Sequence, residues 1–240
     1  MVNTDTFEWV GLPSKGQCYP KTSPLRKGKV AVAYLTAMDE NIMVSEKLIE
    51  LGNVCLKLLE KKIVDKDIDV SELCSGDKEA IVLWLRKTGY GNMYKKPNSE
   101  ITIDLDEVRY KDFYCVTDNN GNFTYYTANG DTVTYRLLPF RQEEELIANT
   151  IEKVQNMENE DGSLEDVYMS ITISVLLEII VSINGKTDKE YIYQWLSESD
   201  YDSLRKFQRY ITYNSPGLDM ETTQGISFDD TIFYGIRITN

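Results

Sequence analysis

The fold class is decided in residues 120–138, which read NGNFTYYTANGDTVTYRLL. Two Asn-Gly dipeptides, Asn120-Gly121 and Asn129-Gly130, lie between runs rich in aromatic and β-branched residues. Asn-Gly favours the two-residue turn of a β-hairpin, because both central residues of that turn adopt positive φ. The pattern predicts a three-stranded antiparallel meander over about 111–117, 122–127 and 132–138.

The sequence before the meander predicts a short sheet and then helices. Residues 7–10 and 29–35 have the alternation of extended chain, and a loop rich in Pro and Gly separates them. Apolar residues at helical spacing, together with capping signals, predict helices that begin at Ala37, near Ser45 and at Ser75.

The sequence after Pro139 predicts a largely helical half. Helices are predicted from Glu143 and over 164–183, 189–196 and 201–211, and closing strands are predicted within 226–238. We therefore predict an α+β fold: a short N-terminal sheet with helices, a central three-stranded antiparallel meander, and a largely helical C-terminal half with closing strands. The predicted domains are an N-terminal α+β domain over 1–140 and a mainly helical domain over 141–240.

Charge and composition exclude several functions. The 240 residues carry 26 basic and 39 acidic side chains, a formal net charge of −13. This acidity opposes binding to a phosphate backbone, so we expect no nucleic-acid partner. The chain has no His, which excludes Ser–His and Cys–His nucleophiles and His-ligated metals. The four Cys form no Cys-x-x-Cys clip, so we expect reduced thiols and no metal or other cofactor.

The sequence predicts a cytoplasmic protein. The first nine residues include two acidic side chains where an export signal needs basic and then apolar residues. The most apolar window, 167–183, is too short and too polar for a membrane span, so it predicts a buried helix.

Two kinds of charged cluster are weighed as sites. A basic and aromatic cluster can stack on single-stranded nucleic acid, or it can be a solvated helix end or a docking surface for an acidic protein. Close carboxylate pairs can share acid–base work or hold a divalent cation, although 39 acidic residues produce such pairs by chance. The basic cluster is Arg86, Lys87, Lys95 and Lys96 around Tyr90 and Tyr94; the carboxylate pairs are Asp104 with Asp106 and Asp229 with Asp230.

Eight short blocks follow one another along the chain: 12–16 (LPSKG), 19–20 (YP), 35–40 (LTAMDE), 76–91 (GD to TGYG), 129–139 (NG to YRLLP), 183–185 (ING), 200–205 (DYDSLR) and 216–219 (PGLD). Taken in order, these blocks resemble the tail and baseplate hub assembly proteins of T-even-type contractile phages. The Cys-x-x-Cys pairs that many members carry are missing from residues 95–99 and 220–224, so no metal site is implied.

This resemblance implies a non-enzymatic protein that contacts other phage tail or baseplate proteins, with self-association as a further option. It implies a place in the host bacterial cytoplasm during assembly, and in the virion baseplate if the protein is retained. A transient chaperone-like assembly factor, absent from the mature virion, is the alternative; an enzyme that uses carboxylates is the third hypothesis. The candidate interaction residues are Leu12, Lys15, Gly16, Asp39, Glu40, Arg86, Tyr90 and Gly91.

Overall fold

The computed structural model describes residues 6–96, 100–157, 164–223, 225–226, 228 and 232–233, and over these residues the predicted α+β class is confirmed. The strands are β1 (Phe7–Gly11), β2 (Lys29–Ala33), β3 (Met93–Lys95), β4 (Thr102–Asp104), β5 (Phe123–Tyr126), β6 (Thr132–Tyr135) and β7 (Ile180–Ile183). The helices are α1 (Glu40–Met43), α2 (Glu46–Glu50), α3 (Val54–Lys62), α4 (Ser75–Tyr90), α5 (Phe140–Met157), α6 (Leu164–Ile179), α7 (Lys189–Glu198), α8 (Tyr201–Asn214) and α9 (Met220–Thr223).

The chain divides into two compact units, which are described separately. The first unit comprises 1–16, 22–113 and 216–240, and the second comprises 17–21 and 114–215. This division differs from the predicted domains, because the β5–β6 hairpin groups with the helices that follow it. The chain after 215 returns to the first unit.

The first unit is built on a two-stranded antiparallel sheet and α4. Strands β1 and β2 pair, and Val10, Val30 and Val32 point from them into the core. Strands β3 and β4 form a second antiparallel pair. The helix predicted from Ser45 onward is divided into α2 and α3, while the helix predicted from Ser75 forms α4.

The second unit contains a three-stranded antiparallel sheet in the order β5-β6-β7. The hairpin predicted around Asn129-Gly130 is confirmed, with Phe123 opposite Tyr135. The predicted two-residue turn is wrong, because Gly130 has a positive φ and Asn129 does not. The predicted first strand of the meander is wrong, because residues 111–117 are irregular and the third strand is instead β7. The end of the helix predicted over 164–183 is also wrong, since its last four residues, three of which are β-branched, form the strand that pairs with β6.

Residues 114–117 are held in their irregular path by side-chain contacts. The Cys115 thiol lies 3.1 Å from Oδ1 of Asn214, and the Thr117 hydroxyl donates to the Gln17 carbonyl at 2.5 Å. The closing strands predicted within 226–238 fall mostly on residues outside the described part of the chain.

Aromatic rings form the centre of the second unit. Tyr125 stacks on Phe207 of α8 with ring centroids 4.8 Å apart, and Phe123 stacks on Tyr135 at 5.2 Å. Tyr210, one turn after Phe207, lies 4.8 Å from the Tyr125 ring. The inward face of the hairpin therefore packs on one face of α8.

Candidate interaction site

The loop at residues 12–16 is fixed to the start of α4 by one buried carboxylate. The Ser14 amide donates to Oδ1 of Asp77 at 2.9 Å, and the Ser14 hydroxyl donates to Oδ2 at 2.5 Å. Both side chains are completely buried. The Gly16 amide then donates to the Ser14 hydroxyl at 3.1 Å. These bonds join residues that are 63 positions apart, so the loop has a structural role in the first unit.

The candidate residues of this loop differ in exposure. Leu12 is buried, and Gly16 has a φ of +78° with Arg26 so close that a Cβ would lie 2.3 Å from its carbonyl oxygen. Only glycine fits there. Lys15 is exposed, but its ammonium group donates to the Phe113 carbonyl at 2.9 Å.

The start of α4 also contacts the segment at 216–219. A Cβ on Gly76 would lie 2.2 Å from the Pro216 carbonyl oxygen, which shows how closely the two backbones approach. The Lys111 amide donates to the Gly217 carbonyl at 2.9 Å. Sequence blocks at 12–16, 76–91 and 216–219 therefore meet at one helix end.

Asp39 is a buried carboxylate with two lysine partners. The Lys61 ammonium lies 2.7 Å from its Oδ1, and Lys62 pairs with its Oδ2. The Thr36 amide and hydroxyl donate to Oδ2 at 2.6 and 2.9 Å. Burial opposes ionisation, but these donors lower the pKa of Asp39 to about 2. Asp39 therefore joins the chain before α1 to the end of α3, while the neighbouring Glu40 is exposed.

Arg86 is buried and anchors the turn after α4. Its guanidinium donates to the carbonyls of Gly91 and Met93 at 3.0 and 3.2 Å, and lies 5.6 Å from the Tyr90 ring centroid. The Tyr90 hydroxyl lies 3.1 Å from the sulfur of Met43. Burial lowers the pKa of Arg86 from its usual value.

The eight predicted residues do not share one exposed face. Four of them are buried in the first unit: Leu12, Gly16, Asp39 and Arg86. Three are exposed, namely Lys15, Glu40 and Gly91, and Tyr90 is half-buried. Contact of the surface residues with a partner stays a prediction.

Side chains of the charged clusters considered as sites form ion pairs and hydrogen bonds within the chain. Lys87 pairs with Asp106, and Lys95 lies 3.5 Å from Glu100. Oδ1 of Asp104 accepts from the Asp106 amide at 3.0 Å. The pair at 229–230 lies outside the described residues. Over the described ranges, no group of three or more Cys, Asp or Glu is placed to hold a metal ion, and no helix has the length and apolar character to span a bilayer.

An exposed aromatic pair on β1 was not among the predicted residues. Trp9 is 57% exposed and Phe7 42% exposed, and the two rings meet edge to face with centroids 6.2 Å apart. The ammonium of Lys29 lies 4.8 Å from the Trp9 ring. The signal was the alternation in residues 7–10, which places Phe7 and Trp9 opposite to the buried Val10.

The second unit also carries exposed aromatic side chains. Tyr114, Tyr126 and Tyr213 are 79%, 70% and 83% exposed. Tyr126 lies on β5, which is an edge strand of its sheet. Tyrosines exposed to this extent contribute little to the core of the unit.

A pocket of about 350 Å³ opens in the second unit. It lies between the β5–β6 turn, the end of α7 and the start of α8. Trp195 donates its indole N–H to Oδ2 of Asp131 at 3.0 Å, and Asn184 donates to Oδ1 at 2.7 Å. These two bonds lower the pKa of Asp131. Bonds from Ser203 likewise lower the pKa of Asp200, which caps α8.

The blocks at 129–139, 183–185 and 200–205 thus contribute to one region of the second unit, as the blocks at 12–16, 76–91 and 216–219 do in the first unit. Comparison with protein-family models, with curated proteins and with solved structures gives no match to this chain.

Proposed function

We propose that this protein works by binding other proteins, as a structural or assembly component of a contractile phage baseplate hub in the host cytoplasm. The observation that carries the proposal is the exposed pair Phe7 and Trp9 on the outward face of β1. Exposed Trp and Tyr are typical of protein interfaces, because they combine a large apolar area with few rotatable bonds.

The position of this pair supports a role in binding. Among the described residues, strand β1 pairs with β2 alone, and an edge strand of this kind can pair with a strand of a partner beside the two rings. Trp9 lies opposite Ala31, a small residue, and is held beside Lys29. An aromatic pair on an edge strand gives a partner both an apolar anchor and a strand to pair with.

The test is co-expression of the tagged protein with each baseplate hub subunit, followed by affinity capture. Trp9→Thr keeps a residue suited to a strand and removes the ring. We expect capture of the partner to fall at least tenfold, as is usual for the loss of a tryptophan anchor. Tyr213→Ala, which removes a more exposed ring from α8, is the control and should capture normally. Failure of the unmodified protein to capture any hub subunit would remove the proposal.

Mass spectrometry of purified virions separates the structural component from the transient assembly factor. A structural component is present in stoichiometric amounts, whereas a chaperone-like factor is found only with assembly intermediates.

A further inference from the structure

We propose that the pocket of the second unit receives an arginine side chain presented by a partner protein. This inference deepens the proposed function and rests on it, since it names the kind of partner surface that this unit fits. The pocket is unrelated to the β1 pair, which belongs to the first unit.

The pocket has the shape and the walls for one long side chain. Its volume of about 350 Å³ is in the lower part of the range for small-ligand sites. Tyr125 and Trp195 are half-buried, so each has part of its ring exposed at the pocket wall. Phe207, fully buried behind Tyr125, supports that ring by stacking. An aliphatic stem packs well on such rings, and a guanidinium is attracted to their faces.

The charge of the walls selects a cation. The pocket is lined by three carboxylates, Asp131, Glu198 and Asp200, and by one cation, Lys206. Lys206 already pairs with Asp202, one turn earlier on α8, at 2.6 Å. No lysine or arginine of the described residues forms an ion pair with the three lining carboxylates. With three carboxylates and one lysine, the lining keeps an excess of negative charge, within a chain whose net charge is −13.

The groups that face the ligand are held in place before it arrives. Asp131 accepts from both Asn184 and Trp195, so the carboxylate and the indole ring fix each other. Asp200 accepts from the amide and hydroxyl of Ser203 at 2.9 and 2.7 Å. All of these donors are neutral; Lys206 is attracted to Asp200 as well as to Asp202, so one cation offsets part of the charge of the three lining carboxylates. A carboxylate fixed beside aromatic rings suits arginine better than lysine, because a guanidinium is planar and donates along several directions.

The test is a titration of the full ¹⁵N-labelled chain, followed by NMR, with N-acetyl-arginine amide as the probe. The reporter is the indole N–H of Trp195, identified among the three tryptophans as the signal lost in Trp195→Phe. We expect a saturating shift of this signal. N-acetyl-citrulline amide has the same shape without the charge, and it should bind at least tenfold more weakly.

Variants of the pocket sharpen the test. The double variant Glu198→Gln, Asp200→Asn removes two charges and leaves α8 capped, since Asn caps helices as well as Asp does. It should weaken binding of the arginine probe at least fivefold. Glu190→Gln removes one charge from an exposed position on α7 outside the pocket; it is the control and should bind as the unmodified chain does. The Trp195 signal itself reports that each variant is folded.

Equal binding of the citrulline probe, no saturable shift at Trp195, or full binding by the double variant would each overturn the inference. These results are independent of partner capture. If the chain captures a hub subunit but does not bind the arginine probe, the inference about the pocket is wrong and the proposed function stands. If the chain binds the arginine probe but captures no hub subunit, the proposed function is wrong.

Discussion

The two units stabilise their interiors in different ways. The buried charged side chains of the described residues all belong to the first unit: Asp39, Lys62, Asp77, Lys78 and Arg86. The second unit buries rings instead, and its carboxylates with lowered pKa lie at turns and helix starts. Both units bury apolar side chains, and among the described residues the first unit adds buried ion pairs and hydrogen bonds between distant segments, whereas the second adds ring stacking between a hairpin and α8.

The largest change in the free energy of unfolding is expected when an aromatic ring is removed from the second unit. Phe207→Ala should lower the free energy of unfolding by about 4 kcal/mol, because it leaves a cavity beside Tyr125 and Tyr135. Urea denaturation followed by Trp195 fluorescence, with the other two tryptophans replaced by Phe, measures it. Tyr213→Ala on the same helix is 83% exposed and should change stability by less than about 0.5 kcal/mol. A loss below about 1 kcal/mol for Phe207→Ala would show that the rings do not hold this unit.

The matching change in the first unit removes a charge without changing shape. Asp39→Asn should cost about 3 kcal/mol, because Lys62 stays buried without its carboxylate partner. The measurement is urea denaturation followed by Trp84 fluorescence in a chain with no other tryptophan. Asp65→Asn is the control; its pair with Lys27 is partly exposed at 4.0 Å and should be worth less than about 0.5 kcal/mol. Equal effects of Asp39→Asn and Asp65→Asn would mean that the buried position of the Asp39 ion cluster adds nothing to the free energy of unfolding.

A smaller effect is expected where the first unit brings two backbones together. Gly76→Ala should cost about 2 kcal/mol, because the new methyl group meets the Pro216 carbonyl and the segment must move. Gly89→Ala, on the same helix, meets only the end of the flexible Leu35 side chain and should be neutral or stabilise by about 0.5 kcal/mol. The same denaturation assay compares them, and similar values would contradict a close approach at Gly76.

The hairpin was predictable because its turn and its strands are local in sequence. Asn129-Gly130 sets the turn, and the alternation on both sides sets the register. The third strand was not predictable in the same way. Residues 111–117 have β-rich composition, but contacts such as that of Thr117 with Gln17 hold them elsewhere. Residues 180–183 continue an apolar helical pattern, and only their pairing with β6 makes them a strand.

The candidate site was predictable only in part, because its blocks are joined by contacts that no local pattern records. Ser14 and Asp77 are 63 residues apart, and nothing in the sequence near either residue shows that they bond. The blocks at 12–16 and 76–91 were therefore predicted as a surface, whereas Leu12 and Arg86 are buried. The pocket of the second unit escaped prediction for the same reason, since Asp131 and Trp195 meet only in the folded chain.

The smallest expected difference between the units is in how stability depends on pH when Asp39 is replaced by Asn. Burial opposes ionisation of Asp39, but the bonds from Lys61, Lys62 and Thr36 lower its pKa to about 2, below the usual 3.8. A carboxyl whose pKa is lowered by folding stabilises the protein above its unfolded pKa, and this contribution is lost as the pH falls toward the folded value. The stability difference between the unmodified chain and Asp39→Asn should therefore shrink by about 2 kcal/mol between pH 5 and pH 2.

The control for this titration is Phe207→Ala, whose effect on stability involves no proton and should stay constant over the same pH range. Urea denaturation at each pH, with Trp84 and Trp195 as reporters of the two units, measures both differences. An Asp39→Asn difference that does not change with pH would mean that the lysines and Thr36 do not favour the ionised carboxylate. The ion cluster around Asp39 would then add nothing to the apolar packing of the first unit.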